Sequence, residues 1–428
     1  MTIVAIIAVF LVVGGLTLTF VTVSLNARAG RQDTVISVPR AGDDSAAAAD
    51  FMRALEGATS RPTIGANAMR VFQNGDEIFP PMLEAIAGAK SSVHFATYVY
   101  EAGHIPTVFA AAFSDAARRG VEVRVVLDRD GAKKIPPALI EQMRSAGCDV
   151  EWFGRAQWYD WEKYNRRSHR KLLVIDGRIG FTGGVGIADQ WSGAGDSPEH
   201  WRDTHARIDG PAVAALQAVF TDSWAGTTGK LVIGGEYFPP LLPAGGIPIA
   251  TVQSNPANAS SAAQRSVAAL IASASRTLYV TNAYFIPEPP FIRALGEASA
   301  RGVAVKILMP GPYLNKPIVR LASRRTWPEL LDRGIELFEH QRTMVHAKVI
   351  VVDDIVLCVG SINFDPRSFA LNAECAVIAF DRALAEQASR QFMTDVGNAR
   401  QVTHADLARL SIVERAGDSL AHFFRAQL

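Results

Sequence analysis

From residue 65 onward, apolar positions recur alternately at helical and strand spacing. Residues 78–90, IFPPMLEAIAGAK, read as a helix, and residues 92–100, SVHFATYVY, as a strand. A second helix over residues 108–120 closes at Gly120 and leads into a strand over residues 121–128. Such alternation predicts α/β layers around a mixed or parallel sheet. Residues 226–262, rich in Gly, Pro, Ser and Asn, show no long periodic segment and read as a junction.

After the junction the pattern restarts. ARRGVEVRVVLD (117–128) is echoed by SARGVAVKILMP (299–310), SSVHFATYVY (91–100) by RTLYVTNAYF (276–285), and SAGCDVEWF (145–153) by DRGIELFEH (332–340). The chain reads as two related α/β/α lobes. The expected boundaries are a first lobe over residues 65–230, a linker over 231–260, and a second lobe with C-terminal helices over 261–428.

The first 25 residues carry no charged side chain. As a helix, residues 3–25 would be about 35 Å long, enough to span a bilayer with some tilt. Residues 1–27 therefore read as a transmembrane anchor and residues 28–64 as a linker, placing the protein at the cell membrane. A cleaved signal peptide is the alternative, since residues 27–29 have the A-x-A form; against it stand the length of the apolar run and the lack of a basic start. Arg28, Arg31 and Arg40 follow the run while nothing basic precedes it, which favours a cytoplasmic body.

Composition narrows the chemistry. With 49% hydrophobic and 20% charged residues the chain is globular, and a net charge of +1 supplies no basic track for nucleic acid. The three cysteines, Cys148, Cys358 and Cys375, form no CxxC pair and read as small core residues. Only 9 of the 43 cationic side chains are lysines. Two of these lysines follow a histidine by two positions at the head of an apolar run.

The first run is SHRKLLVIDGRIGFTGG (168–184), the second HAKVIVVDDIVLCVGSINF (346–364). His169, Lys171 and Asp176 share the spacing H-x-K-x4-D with His346, Lys348 and Asp353. Given 9 His, 9 Lys and 24 Asp, about 0.01 chance matches are expected, so one copy in each half is no accident. Residues i and i+2 of a strand share a face, so each imidazole emerges beside an ammonium. Alone, each pair reads as a strand-end histidine and a snorkelling lysine. Together, two pairs facing each other form a cationic pocket for a phosphodiester. The lysines would hold its oxygens, one imidazole would attack phosphorus and the other would protonate the leaving oxygen, with no metal or cofactor required. Each run continues through a second short strand into small residues, Gly183-Gly184 and Gly360-Ser361, which would let backbone amides approach an anion. Asp176 and Asp353 stand at an odd separation from the histidines and read as turn residues.

At these residues the chain resembles the phospholipase D superfamily, defined by a duplicated H-x-K-x4-D motif, over roughly residues 65–400. Within it, NRRSHRKLLVIDGRIGFTGG, WRDTHARIDGPAVAALQAVFTDSW (201–224) and GSINFDPRSFALNAE (360–374) are most similar to bacterial cardiolipin synthases. The resemblance implies one active site between the lobes and a phosphohistidine intermediate. His169 would be the nucleophile and His346 the general acid, with the reverse assignment open. It also implies that Lys171, Lys348, Ser361 and Asn363 bind phosphate, and that Glu374 and Asp203 orient the imidazoles. The motif aspartates count among the catalytic set, and Gly183 and Gly184 among the phosphate-binding set. One departure is Gly186, where the family commonly has asparagine in G-G-x-N.

The implied partners are phospholipid substrates and the bilayer; the sequence carries no signal for an oligomeric state. The expected activity is transfer of a phosphatidyl group to yield cardiolipin. Hydrolysis to phosphatidic acid, a nuclease of the same superfamily and a degenerate lipid-binding scaffold are the alternatives. WYDWEKYN (158–165) reads as a lid, a membrane-facing lip or ordinary loop packing. The final segment, residues 407–428, reads as amphipathic helices packed on the body, with a lipid-surface role as its second reading.

Overall fold

The computed structural model describes residues 38–41, 45–154, 166–255 and 262–428, with four isolated positions before residue 20. The anchor over residues 1–27 and the WYDWEKYN stretch thus fall outside the described residues. Among the described residues no helix is long and apolar enough to cross a membrane.

The first lobe contributes strands β1 (Thr63–Gln73), β2 (Ser92–Thr97), β3 (Glu122–Asp128), β4 (Asp149–Phe153), β5 (Arg167–Ser168), β6 (Leu172–Ile175), β7 (Ile179–Gly183) and β8 (Thr204–Asp209). The second contributes β9 (Ile247–Ser254), β10 (Thr277–Asn282), β11 (Ala304–Pro310), β12 (Glu336–His340), β13 (Lys348–Val352), β14 (Val356–Gly360), β15 (Asn372–Phe380) and β16 (Ala399–Gln401). The order β1-β8-β7-β6-β2-β3-β4 recurs as β9-β15-β14-β13-β10-β11-β12, and antiparallel pairing of β1 with β9 joins both halves into one mixed sheet. The two lobes are therefore related by an internal pseudo-twofold.

The expected elements are present within a few residues, including helices Asn74–Gly88 and His104–Arg118. The echoed Arg-Gly-Val punctuation works identically in both lobes. Gly120 (φ 88°) and Gly302 (φ 90°) take left-handed conformations that end a helix and release the chain into β3 or β11.

Two stretches read as linkers each contain a regular element. Residues 231–260 contain β9, the second lobe's counterpart of β1, whose eight residues are flanked by loop-type composition that hides their alternation. Within residues 28–64 lies the helix Ser45–Thr59, an Ala-rich segment with few large apolar residues. Its Phe51 and Leu55 are nonetheless fully buried in the second lobe's core, Phe51 against Phe380 at 5.8 Å between ring centroids.

Both motif runs form hairpins, β6–β7 and β13–β14. A shared core lies behind them, where Leu172, Val174 and Ile208 of one lobe meet Val349, Val351, Leu357 and Val359 of the other. The hairpin turns use positive φ at both central positions, Asp176 (52°) with Gly177 (62°), and Asp353 (54°) with Asp354 (56°). Each motif aspartate then clasps the start of the neighbouring strand. Asp176 accepts from the amides of Lys90, Ser91 and Ser92, and Asp353 from those of Ser275, Arg276 and Thr277 at 2.7–2.8 Å. The five residues from each lysine to its aspartate span roughly 17 Å of strand. Asp176 and Asp353 are therefore at the far end of the hairpin from the histidines, outside the catalytic set in which the resemblance placed them.

Removing this clasp should destabilise the fold without touching the site. Asp353→Ala leaves three strand-start amides without their acceptor, and a loss of about 3 kcal/mol is expected in urea unfolding with an unchanged m-value. At Asp176, partial burial pushes the carboxyl up, but the amides of Ser92, Ser91 and Lys90 outweigh it and hold the carboxyl below its ordinary range. Its contribution should be complete above about pH 4 and fade as the pH falls through the lowered native value.

Candidate active site

The two motif heads meet in a cavity of about 440 Å³ lined by His169, Lys171, His346 and Asn363 together with Tyr98, Trp191 and Trp201. What brings them together is an exchange across the pseudo-twofold. The His169 amide donates to the carbonyl of Ala373 in the other lobe (2.9 Å), and the His346 amide to that of Arg202 (2.7 Å). The residue after each of these carbonyls is a carboxylate that holds the same imidazole. His169 Nδ1 lies 3.1 and 3.0 Å from the two Glu374 oxygens, and His346 Nδ1 lies 2.8 Å from Asp203 Oδ2. Each carboxylate lies within hydrogen-bond distance of a histidine of the opposite lobe. A carboxylate accepts, so Nδ1 carries the proton and Nε2 keeps its lone pair. A buried ion pair between Arg202 and Asp395 (3.1 Å) adds another tie between the lobes.

The lysines sit against their own histidines. Lys171 Nζ donates to the His169 carbonyl (2.7 Å) and lies 5.5 Å from the Tyr98 ring centroid. Lys348 Nζ donates to the His346 carbonyl and lies 3.0 and 3.1 Å from the two His346 ring nitrogens. Burial, reinforced by the neighbouring ammonium groups, holds His169 well below its usual range and His346 at about 3. Burial likewise lowers Lys171 strongly and brings Lys348 down to about 8, against the pull of Asp203 and Glu374. Burial pushes Glu374 up to about 7, whereas at Asp203 the His346 hydrogen bond and the charges of His346 and Lys348 outweigh burial and hold it at about 2. Without an anion, then, the site suppresses its own positive charge.

Three expected phosphate ligands are committed elsewhere. The Gly184 amide donates to Thr204 O (3.0 Å), and a Cβ at Gly184 would fall 2.0 Å from Asp203 Oδ1. A Cβ at Gly183 would lie 2.5 Å from Thr204 O. These glycines make room for β8 and the Asp203 carboxylate. Ser361 is fully buried, and its hydroxyl donates to Glu374. Asn363 does face the cavity, and its side-chain Oδ1 has no hydrogen-bond partner among the described residues.

Trp191 escaped the sequence reading. The motifs are 177 residues apart, and the same offset equates Gly186 with Asn363 and Trp191 with Ser368. Ser368 donates its hydroxyl to Glu374 (2.8 Å), and the Trp191 indole N–H donates to Asp203 (2.8 Å). The indole ring accounts for the departure at Gly186, where a Cβ would lie 2.8 Å from Val99 Cβ and 3.0 Å from two Trp191 ring atoms. Trp191 and Trp201 also flank His346 at 5.1 and 5.6 Å between centroids. Aligning the halves at a fixed offset was the signal that would have exposed this pair. His205, also near Asp203, is a buried strand residue of β8.

Comparison with known proteins agrees with this geometry. The family described as "Cardiolipin synthase, PLD-like domain" matches residues 82–223 and 267–396, one segment in each lobe. This chain belongs to that phospholipase D-like family. Among curated relatives, "Cardiolipin synthase A" of Pseudomonas entomophila (strain L48) is 32% identical over 86% of this chain and 77% of its own. "Cardiolipin synthase" of Geobacillus kaustophilus (strain HTA426) is 32% identical over 84% and 72%. Among solved structures, phosphatidylserine synthase of Haemophilus influenzae Rd KW20 shares the fold, with a TM-score of 0.65 at 12% identity, covering 88% of this chain and 99% of that one. In this member of the phospholipase D-like family, the asparagine expected after the first motif is replaced by a glycine–tryptophan pair.

Two outcomes follow from this packing and charge. Gly186→Asn should cost about 1–3 kcal/mol through overpacking against Trp191. Thermal unfolding should show that adding Trp191→Ser recovers part of the loss rather than adding to it. An anion raises the depressed values of nearby cationic groups, so orthophosphate binding near pH 8 should take up protons, chiefly on Lys348. Titration calorimetry in buffers of different ionisation enthalpy reads this directly, and proton release would contradict the charge assignment.

Proposed function

We propose that this protein is a phospholipase D-type phosphatidyltransferase that makes cardiolipin from phosphatidylglycerol and a second phospholipid. The observation that carries the reading is the pair of histidines at one cavity, each beside its own buried lysine and backed by the opposite lobe's carboxylate. Family membership and the curated relatives support the substrate class.

In the first step Nε2 of one imidazole attacks phosphorus, forming a P–N bond as the P–O bond to the headgroup breaks. The other histidine, protonated once the anionic substrate has raised its pKa, gives its proton to the departing alkoxide. In the second step the acceptor lipid's hydroxyl returns a proton to that histidine and attacks phosphorus, releasing the first imidazole. Lys171, Lys348 and the unpartnered amide oxygen-bearing group of Asn363 hold the phosphate; after an amide flip Asn363 presents N–H donors to it. His169 is the nucleophile and His346 the acid and base. The support is Asp203, which keeps its negative charge and stabilises the imidazolium that an acid–base histidine must form. Glu374, Ser361, Ser368 and Asp203 are positioning residues. The two lobes, built on residues 65–230 and 261–428 with β9 joining the second, each supply half of the site. Residues 1–27 anchor the protein at the cell membrane with a cytoplasmic body, where the substrates are concentrated.

The test is to reconstitute the full chain in vesicles containing labelled phosphatidylglycerol. Cardiolipin with stoichiometric glycerol supports the proposal, phosphatidic acid alone points to hydrolysis, and cleavage of a single-stranded oligonucleotide without lipid turnover overturns it. His169→Ala and His346→Ala should each lower turnover at least 10³-fold. His346→Ala denatured in detergent at neutral pH should retain a phosphatidyl label that later acid treatment removes and that His169→Ala lacks.

A further inference from the structure

The helix Ile412–Phe423 is docked the wrong way round for a water-facing helix. At 100° per residue, Ile412, Val413, Ala416, Leu420 and Phe423 share an arc of roughly 100°. Such a stripe is expected to pack on the body, but here it faces outward. Ile412 is 86% exposed, Val413 80%, Leu420 63% and Phe423 37%. The inward face is polar or small. Asp418 and Ala421 are buried, the two Asp418 oxygens each 2.7 Å from an Arg324 nitrogen on the helix Pro317–Arg324, and His422 Nδ1 is 3.0 Å from Ala322 O. Ser411 and Glu414 close a capping box at the start, so the helix is a built element with a specified orientation. The buried Arg324–Asp418 pair sets that orientation and leaves Ile412, Val413 and Leu420 facing outward.

We infer that this helix, with the neighbouring Tyr313–Ile318 segment, is a docking edge that lays its apolar stripe in the headgroup–acyl boundary of a phospholipid bilayer and brings the cavity mouth to the lipid. The inference rests on the proposed lipid substrate. Position supports it. Beyond the helix, Gln427 and Leu428 line the same cavity as His169 and His346. Asn315 and Lys316, just before the partner helix, also line it, and Tyr313 (41% exposed) and Ile318 (43%) flank them. Stripe and cavity mouth thus share one edge of the molecule. Charge supports it as well, since Lys316, Arg325, Arg409 and Arg415 are exposed around this edge, suited to anionic headgroups.

The test uses the full chain, whose cysteines Cys148, Cys358 and Cys375 are all buried, so that an added surface cysteine can be labelled selectively. Leu420→Cys carrying an environment-sensitive fluorophore should shift to the blue and brighten at least twofold with phosphatidylglycerol/phosphatidylethanolamine vesicles. Acyl-chain-brominated lipid should quench it. A label at Glu386→Cys, on the helix Arg382–Gly397, should stay unshifted. Ile412→Asp/Leu420→Asp should lower turnover of vesicle phosphatidylglycerol at least tenfold and leave turnover of monomeric short-chain phosphatidylglycerol unchanged. A Leu420 label that stays in water with vesicles overturns the inference, as does an equal loss on both substrates. A shift that needs no vesicles overturns it too: growth with protein concentration means that a second copy covers the stripe, and independence of concentration means that the chain covers it itself. Label insertion without any cardiolipin synthesis would uphold the docking edge while refuting the proposed activity; synthesis with a water-exposed label would do the reverse.

Discussion

Everything at this site depends on the exchange of histidines and carboxylates across the pseudo-twofold. His169 answers to Glu374 and His346 to Asp203, and in each case the main chain beside the carboxylate also receives the histidine's amide. Neither lobe can orient its own imidazole. The β1–β9 seam and the shared apolar core behind the hairpins supply the rigidity this requires, because a carboxylate anchored in one lobe is useful to the other only if the lobes do not slide. Four buried cationizable groups clustered at one site are costly, and burial lowers the basicity of each. A phosphodiester relieves it, which makes the site selective for an anion before any specific contact is considered.

The pseudo-symmetry also separates what the phosphoryl chemistry needs from what distinguishes the two halves. Histidine, lysine, carboxylate and hairpin recur in both. The support behind the carboxylate does not: serine hydroxyls serve Glu374, while an indole N–H serves Asp203. Tryptophan brings a large ring to a place where the other lobe has a hydroxymethyl, and that ring occupies the room of the missing asparagine side chain. Gly186 is therefore one half of a paired exchange. The result is two indole rings beside His346 and a single tyrosine ring beside His169, so the two equivalent residues differ in their surroundings.

Much of this was legible along the chain. The duplicated motif, the hairpins and the Arg-Gly-Val helix ends are local patterns, and local patterns of period and punctuation survive in a sequence. The carboxylate partners were legible only through resemblance, since Asp203 and Glu374 lie 143 and 205 residues from their histidines. The roles of Gly183, Gly184 and Ser361 depend on the same long-range packing. Small residues beside a motif can admit an anion or a neighbouring side chain, and the sequence does not distinguish them.

By itself the sequence determined the α/β repeat, the two His-Lys pairs and the residue types available for phosphodiester chemistry, because each of these rests on spacing within a single element. Tertiary structure decided which carboxylate meets which histidine, and that the motif aspartates clasp distant strand starts. It also decided that β9 belongs to the second lobe, and that the apolar stripe of the last long helix faces outward. Each depends on which surfaces meet, and a buried ion pair such as Arg324–Asp418 can reverse the orientation that amphipathicity alone would choose.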